Sequence, residues 1–357
     1  MRIIFAGTPE VAVPALNELA AHHEVAAVLT RAPAPRGRKR VLTPSPVHER
    51  AQELGLAVLT PRKLNDPAVL AQLAALEADA VAVVAYGLIV PEQALEITRF
   101  GWFNLHFSSL PQWRGAAPVQ YAIAAGAQTI GTSVFRIEQG LDTGPIVSLV
   151  EHPIAPQASA GEVLAELAQS GALQLSQTLQ DIAAGRAHFS PQQTDATYAP
   201  SLSTKDSQIF WDTPARKIVD AVRAYTPEPG AWSLFNGQRM KISRAVLASP
   251  HASGTGAVAA QDSPAAEASE LQPGQIYVGE NGYPLVGTAT GAVELREVTP
   301  AGKHTMDGAA WARGLRGEDL HFEQMHSDPA ARELSSPQIH KRAEQVSEQA
   351  MQRGTRL

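Results

Sequence analysis

Short apolar runs alternate with amphipathic segments through the first half of the chain. The apolar runs have the length of buried strands and lie at 2–6, 24–30, 57–59 and 80–86. Segments with helical periodicity lie between them, at 13–21, 47–54 and 68–76. Strands that alternate with helices are typical of a parallel sheet with both faces covered. The pattern therefore predicts a doubly wound α/β domain in this half of the chain.

The same alternation continues past the middle of the sequence. Strands are predicted near 103–106, 130–136 and 146–150, and one long helix is predicted at 160–183. Residues 198–212 are polar and irregular, with no clear helical or strand period. Such a stretch is typical of a linker, so we expect a second domain to follow it.

The last third of the sequence has a different pattern. Short alternating runs at 237–248, 274–279, 285–288 and 292–298 are separated by turn residues. Such runs predict a small β-barrel or sandwich. Residues 248–272 are rich in Ala, Ser, Gly and Pro and predict a loop inserted into it. We expect domains at 1–206 and 207–325, and a polar tail at 326–357 with a terminal helix.

The amino-acid composition excludes several classes of protein. The 357 residues include no cysteine, and 29 Lys and Arg against 35 Asp and Glu give a net charge of −6. Without cysteine, disulfide scaffolds, zinc thiolate sites and cysteine nucleophiles are excluded. No apolar run reaches the ~20 residues that a membrane helix needs. We therefore expect a cytoplasmic protein that does not bind membranes.

A basic segment follows the second predicted strand. It contains Arg36, Arg38, Lys39 and Arg40, and the next acidic residue is Glu49. Its prolines and glycine exclude a helix. The segment is either a solvated loop or a flexible arm that contacts a polyphosphate such as RNA. Such a basic segment in a chain of net charge −6 favours the arm.

Two polar side chains stand two residues apart on a predicted strand. Side chains at i and i+2 of a strand point to the same face, so Asn104 and His106 could act on one reacting carbonyl. The amide would stabilise an oxyanion, and the imidazole would move a proton. Asp142 lies in the glycine-flanked loop 140–144. Its carboxylate could orient His106 if neighbouring strand ends bring the two together.

Eight short motifs occur in order along residues 2–317. They read FAGTPE at 5–10, PSPV at 44–47, AYG at 85–87, NLH at 104–106, WRGAAP at 113–118, GLDTG at 140–144, PGAW at 229–232 and PAGK at 300–303. Together they resemble the methionyl-tRNA formyltransferase family. The resemblance implies a Rossmann-like formyltransferase domain followed by an OB-like barrel. It also implies formyl transfer from 10-formyltetrahydrofolate to the α-amine of methionyl-tRNA charged for initiation.

The resemblance also assigns site residues. The catalytic trio of the family is matched by Asn104, His106 and Asp142. The folate-site segment is matched by Ser108, Ser109, Leu110 and Pro111. The insertion that reaches the tRNA acceptor end is matched by Arg36, Arg38, Lys39 and Arg40. We expect a monomer that binds initiator methionyl-tRNA and the folate donor, and we expect no metal.

The chain departs from the family pattern at a few positions. Phe107 and Ser109 stand where the family usually has glycine and leucine. These two differences could change the backbone geometry of the segment and its affinity for folate. Ser201 replaces an expected lysine in the linker, and Glu228 replaces a common tryptophan. None of these departures touches the trio.

Other functions agree with parts of the sequence. A related formyltransferase acting on a sugar or another small amine would share the trio, and a folate-dependent hydrolase would pass the formyl group to water. A nicotinamide dehydrogenase is disfavoured, because the first turn has only Gly7 where a dinucleotide fingerprint needs G-x-G-x-x-G. A non-catalytic RNA-binding module would leave the trio without a role.

Overall fold

The computed structural model describes residues 1–37, 40–248, 271–317 and 320–323. The strands are β1 (Arg2–Gly7), β2 (Glu24–Leu29), β3 (Ala34–Arg36), β4 (Val41–Thr43), β5 (Val58–Leu59), β6 (Ala80–Val84), β7 (Gly101–His106), β8 (Thr129–Arg136), β9 (Ile146–Pro153), β10 (Trp232–Phe235), β11 (Gln238–Leu247), β12 (Ile276–Val278), β13 (Pro284–Gly287), β14 (Ala292–Thr299) and β15 (Met306–Asp307). The helices are α1 (Val13–His22), α2 (Pro46–Glu53), α3 (Pro67–Ala74), α4 (Glu92–Leu95), α5 (Pro118–Ala124), α6 (Ala160–Ala183), α7 (Ala215–Tyr225) and α8 (Gly308–Ala312), with a 3-10 turn at Glu10–Ala12. The predicted loop at 248–272 lies almost wholly outside the described residues, and the tail from 326 lies wholly outside them.

A seven-stranded sheet forms the centre of the first domain within the described residues. Its strand order is β5–β2–β1–β6–β7–β8–β9. In this order the first five strands, β5, β2, β1, β6 and β7, run parallel to one another. One buried cluster, which includes Phe5 and Leu105, covers one face of the sheet, and another, which includes Ile4 and Trp102, covers the other. Both faces are buried, which confirms the predicted doubly wound α/β domain.

The last two strands of this sheet run differently from the prediction. β8 is antiparallel to β7, and β9 is antiparallel to β8. The connection between β8 and β9 covers only 137–145, which is shorter than the dozen or so residues that a parallel crossover needs. Because β8 is antiparallel, Ser133 pairs with His106. This part of β8 therefore lines the carboxyl end of β7.

The second domain is an antiparallel β-barrel of the OB-like type. Its strand order is β10–β11–β14–β13–β12, with β15 beside β14. Residues 320–323 hydrogen-bond to the backbone at both edges of this sheet. The amide N–H of Phe322 donates to Gly274 O at 2.9 Å, and that of Glu323 donates to Leu234 O at 3.0 Å. Pairing of both edges in this way leaves fewer open backbone groups and confirms the predicted barrel.

Phe322 anchors this closing segment. Its side chain is 1% exposed, and its ring centroid lies 4.8 Å from that of Trp211 and 5.6 Å from that of Phe235. We expect Phe322→Ala to lower the free energy of unfolding by about 3–5 kcal/mol, the usual loss for a buried Phe. Urea unfolding measures the change. The exposed Leu247→Ala in the same barrel is the control, and a loss below about 1 kcal/mol for Phe322→Ala would contradict the anchoring role.

Helix α7 joins the two domains and was not predicted. It packs against α5 of the first domain and β11 of the second. Arg223 donates from Nε to Ala158 O at 2.9 Å and from Nη1 to Asp220 Oδ1 at 3.0 Å. Burial raises the pKa of the Asp220 carboxyl, and the neighbouring Arg223 charge opposes that rise. Arg223, oriented by Asp220 on the same helix, thus ties α7 to the connection between β9 and α6 of the first domain.

Candidate active site

Strand β7 carries the first two members of the trio. Asn104 and His106 point to the face opposite Phe103 and Leu105, whose side chains lie in the core. His106 is 6% exposed, whereas Asn104 is half-buried. The Asn104 amide makes no hydrogen bond to the described part of the chain. Its donor is therefore available to a bound molecule beside the imidazole.

The imidazole of His106 lies between a backbone carbonyl and a carboxylate. Nε2 is 3.0 Å from the carbonyl oxygen of Trp113, and Nδ1 is 3.8 Å from Asp142 Oδ2. Because a carbonyl only accepts, the Nε2 proton is assigned to this contact. The Nδ1 separation is too long for a hydrogen bond. The structure thus brings the trio together, with Nδ1 facing the carboxylate.

The loop that carries Asp142 has an unusual backbone. Asp142 itself is left-handed, with φ of 51°. Its Oδ2 accepts the N–H of Gly115 at 2.8 Å, so the carboxylate is tied to the loop after the folate segment. A Cβ at Gly144 would collide with the carbonyl oxygen of Arg136. The glycine is required because the backbone passes too close to β8 for a side chain.

The loop at 113–117 completes the wall around the imidazole. Trp113 has φ of 61°, and its carbonyl is the one that contacts His106. A Cβ at Gly115 would lie 2.7 Å from Ala199 O. Ala199 donates its N–H to Arg114 O at 2.7 Å. A stretch that follows α6 therefore packs directly on this loop, a contact that no sequence motif signals.

The predicted folate segment lies next to His106 and is partly buried. Ser108 and Leu110 are buried, whereas Ser109 and Pro111 are partly exposed. The hydroxyl of Ser133 donates to Ser108 O at 2.7 Å and accepts the N–H of Leu110 at 3.1 Å. These two hydrogen bonds fix the segment to β8. They leave Ser109 and Pro111 toward the surface, and the hydroxyl of Ser109 bonds to a carboxylate oxygen of Glu151.

The two departures in this segment fit the local structure. Phe107 is buried in the core and its backbone lies outside the left-handed region. A glycine is therefore not needed at this position. Ser109 is accommodated by its bond to Glu151. Neither residue introduces a left-handed backbone or an unpaired buried group.

The basic segment forms a β-hairpin and not an irregular loop. Strand β3 pairs antiparallel with β4, and Arg36 lies opposite Val41. Arg40 is in the turn between them, with φ of 50°. Arg38 and Lys39 lie outside the described residues. The β3–β4 pair forms a two-stranded sheet separate from the seven-stranded sheet that carries Asn104 and His106.

Metal and membrane binding each require a recognisable arrangement of residues. The described residues contain no group of three or more His, Cys, Asp or Glu side chains arranged to hold a metal ion. That part of the chain likewise contains no helix with the length and apolar character of a membrane span. The expectation that the reaction needs no metal stays a prediction.

Family profiles match both domains. The profile described as "Formyl transferase" matches residues 1–179, and that of "Formyl transferase, C-terminal domain" matches residues 201–316. Together with the α/β sheet and the barrel, these matches define an enzyme of the formyl transferase class.

Relatives narrow this class further. The methionyl-tRNA formyltransferase of Acidothermus cellulolyticus is 50% identical over 326 residues, which cover 88% of this chain and 98% of the relative. That of Arthrobacter sp. is 48% identical over 315 residues, covering 88% and 97%. The chain belongs to the methionyl-tRNA formyltransferase family. An N-formyltransferase from Helicobacter canadensis, solved with folinic acid and dTDP-3-aminofucose, shares the fold with a TM-score of 0.58 at 18% identity, covering 82% of this chain and 98% of that one.

Proposed function

We propose that the chain transfers the formyl group of 10-formyltetrahydrofolate to the free α-amine of methionine charged on initiator tRNA. The observation that carries this proposal is the convergence of Asn104, His106 and Asp142 at the carboxyl end of β7. An available amide donor beside an imidazole and a carboxylate suits acyl transfer to an amine. Membership of the family supplies the donor and acceptor.

His106 is proposed to take the proton from the attacking amine and to pass it to the folate nitrogen, which leaves as its bond to the formyl carbon breaks. Its Nε2 is engaged by the Trp113 carbonyl, whereas Nδ1 makes no hydrogen bond to the described residues. Proton exchange therefore runs through Nδ1, on the side of Asp142. The carboxylate steadies the imidazolium that forms, because opposite charges this close attract. Apo distances of this kind commonly shorten when substrate binds.

Asn104 is proposed to stabilise the charge that develops on the transferred carbonyl oxygen. Its amide N–H₂ can donate without breaking a bond to the described chain. A preorganised donor of this kind acts without reorganisation during the reaction. The amide and the imidazole lie on one face of β7, so one carbonyl group can meet both.

The folate segment Ser108, Ser109, Leu110 and Pro111 is proposed to hold the formyl donor. 10-Formyltetrahydrofolate, when bound, supplies an activated formyl group. The segment fits this role, because it directly follows His106 and is braced by Ser133 on β8. Ser109 and Pro111 are the members that reach the surface. Ser108 and Leu110 support them from the interior.

The acceptor is proposed to reach the protein as a polyanion at the basic hairpin. Replacing Arg36, Arg38, Lys39 and Arg40 by alanine is expected to weaken tRNA binding. Its salt dependence is expected to flatten by roughly 0.9 in the log–log slope for each phosphate that is no longer neutralised. Filter binding across a salt series measures this slope. The control is the double variant Arg99→Ala and Arg186→Ala. Arg99 precedes the amino-terminal end of β7, whereas Asn104 and His106 lie toward its carboxyl end. An unchanged slope for the hairpin variant would show that the hairpin does not bind the tRNA.

We also propose an oligomeric state, a compartment and domain boundaries for the protein. We expect a monomer in the cytoplasm that needs no metal, with the catalytic domain at 1–206 and a tRNA-binding domain at 207–325. The linker segment that packs on the loop at 113–117 agrees with a boundary near this position. Sedimentation with and without tRNA tests the monomer.

A formyl-transfer assay tests the function itself. Purified protein is mixed with 10-formyltetrahydrofolate and initiator methionyl-tRNA, elongator methionyl-tRNA or an amino sugar. Formation of formyl-methionine on the initiator alone is the expected result. Formylation of the amino sugar alone would support the alternative acceptor, and folate release without a formylated product would indicate a hydrolase.

A further inference from the structure

Gln192 lies between α6 and α7 and contacts both loops that enclose His106. Its Nε2 donates to Asp142 O and to Gly144 O, each at 2.8 Å. Its Oε1 accepts from Arg114 Nη2 at 2.7 Å and from Arg114 Nε at 3.2 Å. A single carboxamide thus links the loop of Asp142 to the loop of Arg114.

The orientation of this carboxamide is fixed by its partners. A guanidinium only donates, so the atom that faces Arg114 must be the oxygen. The amino group then faces two carbonyls, which only accept. Both donors and both acceptor positions of Gln192 are used. A flipped amide would place like groups against each other at every contact, so the side chain has one stable arrangement.

Arg114 depends on the same carboxamide. Its side chain is 9% exposed, and no carboxylate lies within ion-pair distance in the described part of the chain. The hydrogen bonds of the guanidinium in that part go to Gln192 Oε1. A buried polar group without a partner is costly, so Gln192 is what keeps Arg114 in place.

These contacts close a ring around the catalytic carboxylate. Gln192 holds Asp142 O, Asp142 Oδ2 accepts the N–H of Gly115, and Gly115 is bonded covalently to Arg114, which returns to Gln192. Asp142 has a left-handed backbone, which a residue with a side chain keeps only when its surroundings hold it. The ring supplies that restraint from both sides.

We propose that Gln192 is a positioning residue of the formyl-transfer site. Its carboxamide holds the Asp142 loop against the Arg114–Gly115 peptide, so that the Asp142 carboxylate stays aligned with His106 Nδ1. The inference rests on the proposed function. It adds a role for the stretch between α6 and the predicted linker, which carries no motif for catalysis and acts on His106 only through the two loops.

Two substitutions at position 192 test the role. Gln192→Met keeps the length but removes every hydrogen bond, and Gln192→Glu keeps an acceptor for Arg114 but cannot donate to the two carbonyls. Each is expected to lower kcat about 10- to 100-fold, since small displacements of catalytic groups have effects of this size. KM for methionyl-tRNA is expected to stay within about threefold. The neighbouring exposed Gln193→Ala is the control and should match the wild type.

A double-mutant cycle separates positioning from general structure. If Gln192 acts through Asp142, Gln192→Met lowers kcat much less in an Asp142→Asn background than in the wild type. Equal factors in both backgrounds, or an unchanged kcat for a folded Gln192→Met protein, would overturn the proposal. If Gln192→Met does not fold, Gln192→Glu carries the same cycle. A wild-type protein without formyl transfer would instead overturn the proposed function and, with it, this role.

Discussion

His106→Gln is expected to lower the turnover of formyl transfer about 100- to 10,000-fold, the range that general acid–base catalysis supplies. Glutamine keeps a donor for the Trp113 carbonyl, which lies 3.0 Å from the imidazole Nε2. It cannot exchange a proton near neutral pH, so the loss reports proton transfer rather than packing. Single-turnover kinetics at saturating donor and acceptor measure it.

A companion variant controls for the cavity at this position. His106 is buried and its ring meets Phe135 edge-on at 6.4 Å, so His106→Ala also removes packing. If proton transfer dominates, alanine and glutamine lower turnover to a similar extent although their melting temperatures differ. A folded His106→Gln protein with more than one-tenth of wild-type turnover would reject the acid–base role.

Asn104→Ala is expected to lower turnover by 100- to 1,000-fold, or about 2.7–4 kcal/mol of transition-state stabilisation, as for a lost oxyanion donor. The half-buried amide makes no hydrogen bond to the described chain, so its removal breaks no hydrogen bond there. The unfolding free energy should therefore change little. Steady-state kinetics and urea unfolding on the same samples measure both effects.

The charge of the residue at position 104 gives a sharper comparison. Asn104→Asp has nearly the same shape but places a negative charge beside the developing oxyanion. Its turnover should be no higher than that of Asn104→Ala. Asn65→Ala, at an exposed position in the loop before α3, is the matched control. Wild-type turnover in a folded Asn104→Ala protein would remove the oxyanion role.

Local sequence rules predicted much of the first domain. The long helix α6 begins and ends at the predicted residues, and Ser159 and Glu162 form a capping box at its start. The alternation of strands and helices fixed the layered architecture. Helix α7 was missed, although its apolar residues at 215, 218, 219 and 222 have helical spacing. Periodicity does not encode the directions of β8 and β9. The short connection 137–145 accounts for that of β9, whereas β8 follows the longer segment 107–128, which includes α5.

The candidate site likewise combines features that local sequence predicts with features that depend on tertiary contacts. Period-two alternation predicts Asn104 and His106 on one face, and the structure has both in the single strand β7 from Gly101 to His106. Sequence spacing left open whether Asp142 would meet His106, since their approach depends on how the loops after β7 and β8 fold. Gln192 gave no signal at all. A single glutamine in a polar stretch is identified only by the two loops that it contacts.

Most elements of the main sheet, the faces that they bury and the family of the chain could be predicted from the sequence. These properties follow from local periodicity, from capping and from motifs that a linear chain displays directly. Only the folded chain shows the antiparallel edge of the sheet, the closure of the barrel by Phe322 and the ring from Gln192 to Asp142. Each depends on contacts between residues far apart in the chain, and such contacts are selected by the packing of the whole fold and not by neighbouring residues.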